Sequence, residues 1–200
     1  RTAFSCKYSG LSSGKLSEGS IMLRKKSKRH FYIVTVIMVL LVIWTAWSNT
    51  TVGITHYTVA SDKLPASFDH YSIVVVSDLH NAEFGENNSQ LIKLIEKEKP
   101  DIIVITGDLV DSNKTNIDIA QKLVGTLTGI APCYYVTGNH EAWLGEQYQE
   151  LESILLDEGV AILHDRAVQL IKNTESIQLA GLDDPDFTDR APLQQSMIKT

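Results

Sequence analysis

Cysteine and positive charge are scarce in the 200-residue sequence. It contains two cysteines, Cys6 and Cys133, and no Cys-x-x-Cys pair, which excludes a disulfide framework. Lys and Arg number 18 against 24 Asp and Glu, a formal net charge of −6. Nucleic-acid-binding domains usually carry a basic face, so we expect no nucleic-acid partner. Hydrophobic residues at 44% and charged residues at 21% are ordinary globular values, which excludes wholesale disorder.

The charges are divided unevenly along the chain. Residues 1–30 hold eight basic residues and one acid, whereas residues 31–47 hold no charge. Residues 48–200 hold the other ten basic residues and 23 acids. The average composition therefore hides three parts: a basic N-terminal segment, an uncharged apolar run and a long acidic part.

The uncharged run predicts a membrane anchor over residues 31–54. Its 17 residues, FYIVTVIMVLLVIWTAW, span about 25 Å as a helix, and the next charge comes at Asp62. Five basic residues within 22–30 precede the run, and Trp44 and Trp47 lie at its far end. Such flanks are typical of a single-pass membrane helix with its basic side in the cytoplasm. We therefore expect the residues after the anchor to lie outside the cytoplasm.

Two other interpretations of the apolar run are less favoured. A buried core helix is usually shorter than this uncharged run. It would also not be expected to have a cluster of basic residues directly before it. A cleaved signal peptide needs a small-x-small cleavage site, and Thr-Ala-Trp at 45–47 places an indole where a small residue is wanted. An uncleaved anchor is the interpretation that the flanks favour.

The remaining boundaries also follow from composition. Met22 and the basic residues after it are typical of a natural start, so residues 1–21 are interpreted as a non-native or upstream leader. Residues 22–30 are predicted to be a basic cytoplasmic segment, residues 55–69 a linker, and residues 70–200 the N-terminal part of a globular domain.

From residue 71 the sequence alternates between strand-like and helix-like segments. Short β-branched runs predict buried strands, and apolar residues at helical spacing predict helices. The alternation indicates an α/β fold with a largely parallel sheet, and the short connections between the last three strands indicate antiparallel pairing or a turn into a second sheet. In chain order the segments are strand 71–76, helix 91–95, strand 101–105, helix 117–127, strand 133–136, helix 144–158, and strands 160–163, 167–171 and 176–180.

A polar cluster directly follows each of the first three predicted strands. The carboxyl ends of parallel strands form the crevice in which α/β sheets bind ligands, so the clusters should converge. Two Asp, two His and an Asn form a mixed oxygen and nitrogen set that suits Mn, Fe or Zn. The first two clusters alone are more simply turns, whereas Gly-Asn-His-Glu is much rarer by chance, and all three together favour one site. The clusters are Ser77-Asp78-Leu79-His80, Thr106-Gly107-Asp108-Leu109-Val110-Asp111 and Thr137-Gly138-Asn139-His140-Glu141.

Together the three clusters resemble the motif of the calcineurin-like metallophosphoesterases. The resemblance covers about residues 70–185, and its pattern is Asp78-x-His80, Gly107-Asp108-x-x-Asp111 and Gly138-Asn139-His140-Glu141. It implies a two-sheet sandwich flanked by helices, with two divalent metal ions (Mn, Fe or Zn) at the strand ends. By motif position, Asp78 and His80 would bind one ion. Asp108 would bridge both ions, and Asn139 would bind the second.

The resemblance also implies catalytic roles. His140 would contact the phosphate and protonate the leaving oxygen, and Asp111 would orient His140. The most similar subgroup is bacterial and membrane-anchored, with a Gly-Leu-Asp-Asp-Pro-like segment, here at 181–185. The family's protein serine/threonine phosphatases carry Arg-Gly where this chain has Ser112-Asn113, so we do not expect a protein phosphatase.

The sequence departs from the family pattern after His140. The family takes further metal ligands from a later His and from a Gly-His-x-His segment. The single later histidine here is His164, interpreted as a surface residue at a strand end, and no Gly-His-x-His occurs. We therefore expect these residues to be an N-terminal fragment, with an incomplete sandwich and no activity by themselves.

Several side chains around the motif keep more than one interpretation. Asp183, Asp184 and Asp186 could line the site, although an acidic turn around a proline is favoured. Trp143 could contact a substrate or pack at the start of a helix, with equal support.

The function expected from the resemblance is a metal-dependent phosphoesterase at the membrane. Its substrate would be a phosphomonoester or phosphodiester of the cell envelope or of a lipid. The alternative is a non-catalytic membrane protein that uses a degenerate phosphoesterase fold as a binding module.

Overall fold

The computed structural model describes residues 15–187. The chain divides into two units, residues 1–51 and residues 52–200.

The first unit contains one long helix, α1, Lys15–Thr50. An 18-residue stretch, Lys28–Thr45, has a mean hydropathy of 1.5, and none of it is buried. It contains no proline or glycine, the residues that break helices. By length and composition α1 is a candidate membrane span, although it ends before Ile54, the predicted end of the anchor.

A four-stranded parallel sheet organises the second unit. Its strands are hydrogen-bonded in chain order, which confirms the predicted α/β fold with a largely parallel sheet. They are β1, Ile73–Val76; β2, Ile102–Thr106; β3, Cys133–Val136; and β4, Ala161–Ile162.

Helices connect the parallel strands, because strands that run the same way need a long crossover. Two of the predicted helices agree with α2 and α3. The predicted helix 144–158 agrees with α5, which begins three residues later, and the polar motif after β3 forms an additional short helix, α4, that was not predicted. The helices are α2, Ser89–Glu98; α3, Ile117–Leu127; α4, Asn139–Trp143; and α5, Gln147–Asp157.

The last two strands form an antiparallel hairpin, β5 (Arg166–Lys172) and β6 (Glu175–Gly181). This confirms the predicted second sheet. The same expectation is wrong for β4, which pairs in parallel with β3 through Tyr134 and Ala161. The crossover through α5 returns the chain to the first sheet before the hairpin begins.

Two apolar clusters hold the layers together, one on each face of the parallel sheet. On the helix face, Ile103 and Ile105 of β2 pack with α3 and α5 residues such as Val124 and Leu151, all at most 1% exposed. On the other face Ile102 packs with hairpin residue Leu170 and with Phe68. Burying one such side chain stabilises the fold by about 1.5–3 kcal/mol. This packing leaves the carboxyl ends of the strands free for the polar clusters.

Candidate metal centre

Two glycines allow the loops after β2 and β3 to touch. Gly107 has φ +82°, and a Cβ there would lie 2.8 Å from the carbonyl carbon of Thr137. A Cβ on Gly138 would lie 2.6 Å from the backbone nitrogen of Asp108. Since real Cβ atoms do not approach backbone so closely, any larger residue would force the loops apart. The Gly-Asp and Gly-Asn pairs of the sequence therefore have a steric cause.

The loop after β1 runs beside the loop after β2. The Asp78 backbone N–H donates to the Gly107 carbonyl at 3.3 Å, and the His80 N–H donates to the Asp108 carbonyl at 2.9 Å. Asp78, His80 and Asp108 all have φ between 46° and 55°. Non-glycine residues in such strained conformations cost about 1–3 kcal/mol each and cluster at functional sites.

Three predicted metal ligands come together at this edge of the sheet. One ligand atom from each of Asp78, His80 and Asp108 lies within 4.8 Å of the others. The His80 Nε2 is 3.8 Å from the Asp108 Oδ2. Two carboxylates and an imidazole suit a divalent ion such as Mn, Fe or Zn. The donor set therefore fits a divalent metal ion.

Asp108 also forms a hydrogen bond to the loop after β3. Its Oδ1 accepts a hydrogen bond from the backbone N–H of His140 at 2.9 Å, while its Oδ2 faces His80. Asn139 is the first residue of α4 and is half-buried. Its role as a ligand of a second ion, and bridging by Asp108, stay predictions.

His140 lies beside the three residues of the metal cluster. Its ring centroid is 4.4 Å from that of His80 in an edge-to-face arrangement. The Ser112 backbone N–H donates to the His140 Nδ1 at 3.1 Å. Because Nδ1 accepts this hydrogen bond, the ring proton lies on Nε2.

The predicted partner of His140, Asp111, is farther away. Its Oδ1 is 3.6 Å from the His140 Nδ1, longer than a hydrogen bond. A hydrogen bond from the Asn113 backbone N–H lowers the pKa of Asp111. Ser112 is thus the nearer orienting group, and the orienting role of Asp111 stays a prediction.

Trp143 lies next to His140 and outside the core. Its ring centroid is 4.9 Å from that of His140, and the residue is 57% exposed. Of the two interpretations left open by the sequence, packing at the start of a helix has less support.

Glu141 joins two loops of the site, a role that the sequence did not predict. It is fully buried, and its Oε2 accepts the backbone N–H groups of Asp108 and Gly138, each at 2.8 Å. Its Oε1 accepts the Leu109 N–H at 2.9 Å. One carboxylate therefore holds the loops after β2 and β3 together. The available signal was a glutamate three residues after a helix N-cap, the position of a capping box.

His164 is not the surface residue that the sequence indicated. Its ring is half-buried, with Nδ1 2.8 Å from the Asp183 Oδ2 and Nε2 2.8 Å from the Glu152 Oε1. Asp183 is 7% exposed, so the acidic-turn interpretation is wrong for it. The turn does occur between Asp184 and Asp186, where the Asp184 Oδ1 accepts the Asp186 N–H at 2.8 Å. The prediction for His164 and Asp183 was wrong because these two residues contact each other only in the folded protein, and a sequence pattern does not show such contacts.

Comparison with known proteins agrees with this geometry. The family model described as "Calcineurin-like phosphoesterase" matches residues 71–189, more than half of the chain. The chain belongs to the calcineurin-like phosphoesterase family. The predicted resemblance is thus confirmed, and the cluster of Asp78, His80 and Asp108 is the candidate metal site of a metallophosphoesterase.

Several relatives share this phosphoesterase domain. An uncharacterized metallophosphoesterase of Aquifex aeolicus is 34% identical over 132 residues, which is 65% of this chain and 48% of that protein. A transmembrane protein with metallophosphoesterase domain from Danio rerio is 30% identical, over 62% of this chain and 29% of that one. A protein of the same name from Bos taurus is 29% identical, over 80% of this chain and 38% of that protein. This phosphoesterase chain therefore spans half or less of the length of these curated relatives.

Proposed function

We propose that this phosphoesterase hydrolyses a phosphomonoester or phosphodiester with a dinuclear divalent metal centre. The observation that carries the proposal is the convergence of Asp78, His80 and Asp108 at the ends of two neighbouring parallel strands, with ligand atoms within 4.8 Å. We assign the half-buried Asn139 to the second ion, because its amide adds an oxygen ligand without adding negative charge.

The metal ions and His140 would have different roles in this reaction. Divalent ions, when bound, supply positive charge that polarises a phosphoryl oxygen and lowers the pKa of water. His140, with its proton on Nε2, donates that proton to the leaving oxygen, and the Ser112 N–H on Nδ1 fixes the orientation of the ring. General acid catalysis of this kind typically contributes about 10²–10⁴-fold.

We place this activity outside the cytoplasm, next to a membrane. Support comes from α1, which is long and apolar enough to cross a membrane, and from the transmembrane relatives. The basic residues before the apolar run favour a cytoplasmic N-terminus. The substrate we propose is a phosphate ester of the envelope or of a lipid, hydrolysed by an anchored protein of the membrane-bound bacterial subgroup.

The test uses the full-length protein in detergent, with bis(4-nitrophenyl) phosphate and 4-nitrophenyl phosphate as probes and with added Mn²⁺ or Zn²⁺. Asp108→Asn should lower kcat/KM by more than about 100-fold, because even partners outside the ligand shell are worth 10–100-fold. Asp118→Asn is the matched control, since Asp118 is exposed on α3 and should leave the rate unchanged. Metal binding without hydrolysis of either ester would contradict the proposal and favour the binding-module alternative.

A further inference from the structure

We propose that Asp183, held by His164, is a positioning residue for the loop that carries Asn139 and His140. The proposal rests on the proposed function, since it concerns the same site. It assigns a role to the segment after β6, which contributes no residue to the metal cluster described above.

The segment after β6 holds Thr137 by both of its backbone groups. The Asp183 Oδ1 accepts the Thr137 N–H at 3.2 Å. The Asp184 N–H donates to the Thr137 carbonyl at 3.2 Å. Thr137 directly precedes Gly138, whose own N–H is held by Glu141 at 2.8 Å. Two successive amides of the loop are therefore fixed by two buried carboxylates.

His164 in turn fixes the other oxygen of Asp183. The His164 Nδ1 lies 2.8 Å from the Asp183 Oδ2, and the Nε2 lies 2.8 Å from the Glu152 Oε1. A carboxylate only accepts hydrogen bonds when ionised, so both ring nitrogens must carry protons to satisfy both partners. The geometry therefore calls for an imidazolium that links α5 to the segment after β6.

The surroundings of His164 favour that charged form. Burial by itself would lower the pKa of His164, but the hydrogen bonds from its ring to Asp183 and Glu152 outweigh burial and raise it. The Tyr148 hydroxyl lies 3.5 Å from Nε2, and the Phe187 ring stacks on the imidazole at 5.9 Å. Asp165, the next residue, accepts the Asp183 N–H at 3.2 Å and adds a further negative charge.

A neutral His164 would break one half of this link. A neutral imidazole has one N–H, so it can donate to Asp183 or to Glu152 but not to both. The link is complete below the ordinary pKa of histidine, about 6.5, and is lost as the pH rises through the raised pKa of the folded protein. The connection that His164 makes between α5 and the segment after β6 then depends on pH.

The first experiment compares Asp183→Ala, Asp183→Asn and Asp186→Ala in the full-length protein. Asp183→Ala should weaken Mn²⁺ affinity, measured by calorimetry, and kcat by about 10–100-fold, the effect typical of groups that orient metal ligands. Asp183→Asn keeps an oxygen for the Thr137 N–H but places an amide N–H₂ against the His164 Nδ1, so it should recover part of that loss, with His164 neutral and accepting at Nδ1. Asp186 is exposed on the same segment, so Asp186→Ala should match the wild type. Equal values for Asp183→Ala and the wild type, or no recovery with Asn, would overturn the proposal.

The second experiment needs no activity. Thermal unfolding of the wild type and of His164→Gln is followed over a pH series. The wild type should be more stable at acidic and neutral pH, and its advantage should shrink as the pH rises through the raised pKa of His164. A pH-independent difference would exclude the imidazolium link. An inactive wild type would contradict the proposed function, whereas calorimetry and unfolding would still decide on Asp183 and His164.

Discussion

Glu141 joins two loops of the candidate site through a single carboxylate. Its buried carboxylate receives backbone N–H groups from Asp108, Leu109 and Gly138. These amides belong to loops after two different strands, so the last residue of the motif after β3 joins the two loops. A buried acceptor of this kind is costly to remove, because the amides it satisfies would be left without partners.

Replacing Glu141 should therefore destabilise the protein. Glu141→Gln puts an amide N–H₂ against backbone N–H groups and should lower the free energy of unfolding by about 1–3 kcal/mol. Chemical denaturation of the full-length protein measures this, with Glu150→Gln on the exposed face of α5 as the matched control. The control should stay within about 0.5 kcal/mol of the wild type. An equally small effect at Glu141 would remove its role in joining the loops.

The residues that could be predicted from the sequence are those that a local pattern places. Asp78, His80 and Asp108 follow buried strands directly, so the strand ends bring them together. His164 and Asp183 meet only after the hairpin has folded back, and neither carries a local signal of that contact. The sequence pattern does not show which residues far apart in the chain come into contact in the folded protein.

Among the helices and strands, too, those with a clear local pattern were predicted and those without one were not. The strand β3 begins and ends where the sequence predicts, because CYYV has a clear apolar run before a polar cluster. The strand β1 starts later than predicted, since the Tyr71 ring packs on Phe68 at 5.0 Å and lies outside the ladder. The parallel pairing of β4 was missed, because two residues give too short a pattern to indicate a partner.

The helix α1 carries the topology prediction. A reporter enzyme that works only outside the cytoplasm, fused after Asp62, should be active, since the basic residues before the apolar run hold the N-terminus inside. A fluorescent protein that matures only in the cytoplasm should be dark at the same position. Neutral replacements at all five basic residues before the run are the control and should weaken this orientation. An active cytoplasmic reporter in the natural sequence would show that the predicted topology is wrong.

At the scale of the whole molecule, the negative charge of the chain supports the proposal that its activity depends on metal ions. Residues 48–200 hold 23 acids and ten basic residues, and two of these acids, Asp78 and Asp108, lie at the centre of the candidate site. A phosphate ester is an anion and would be repelled by two carboxylates. Bound divalent ions reverse the local charge, so substrate binding and hydrolysis should both depend on them.

The position of the bound metal tests this account most directly. Anomalous diffraction from crystals of the full-length protein grown with Zn²⁺ or Mn²⁺ locates the ions without reference to any substrate. We predict a peak in contact with Asp78, His80 and Asp108, at about 2.0–2.2 Å from their ligand atoms for Zn²⁺. A second peak should lie roughly 3.5–4 Å away, next to Asn139. No peak at these three residues, under conditions where the protein binds the ion, would contradict the account.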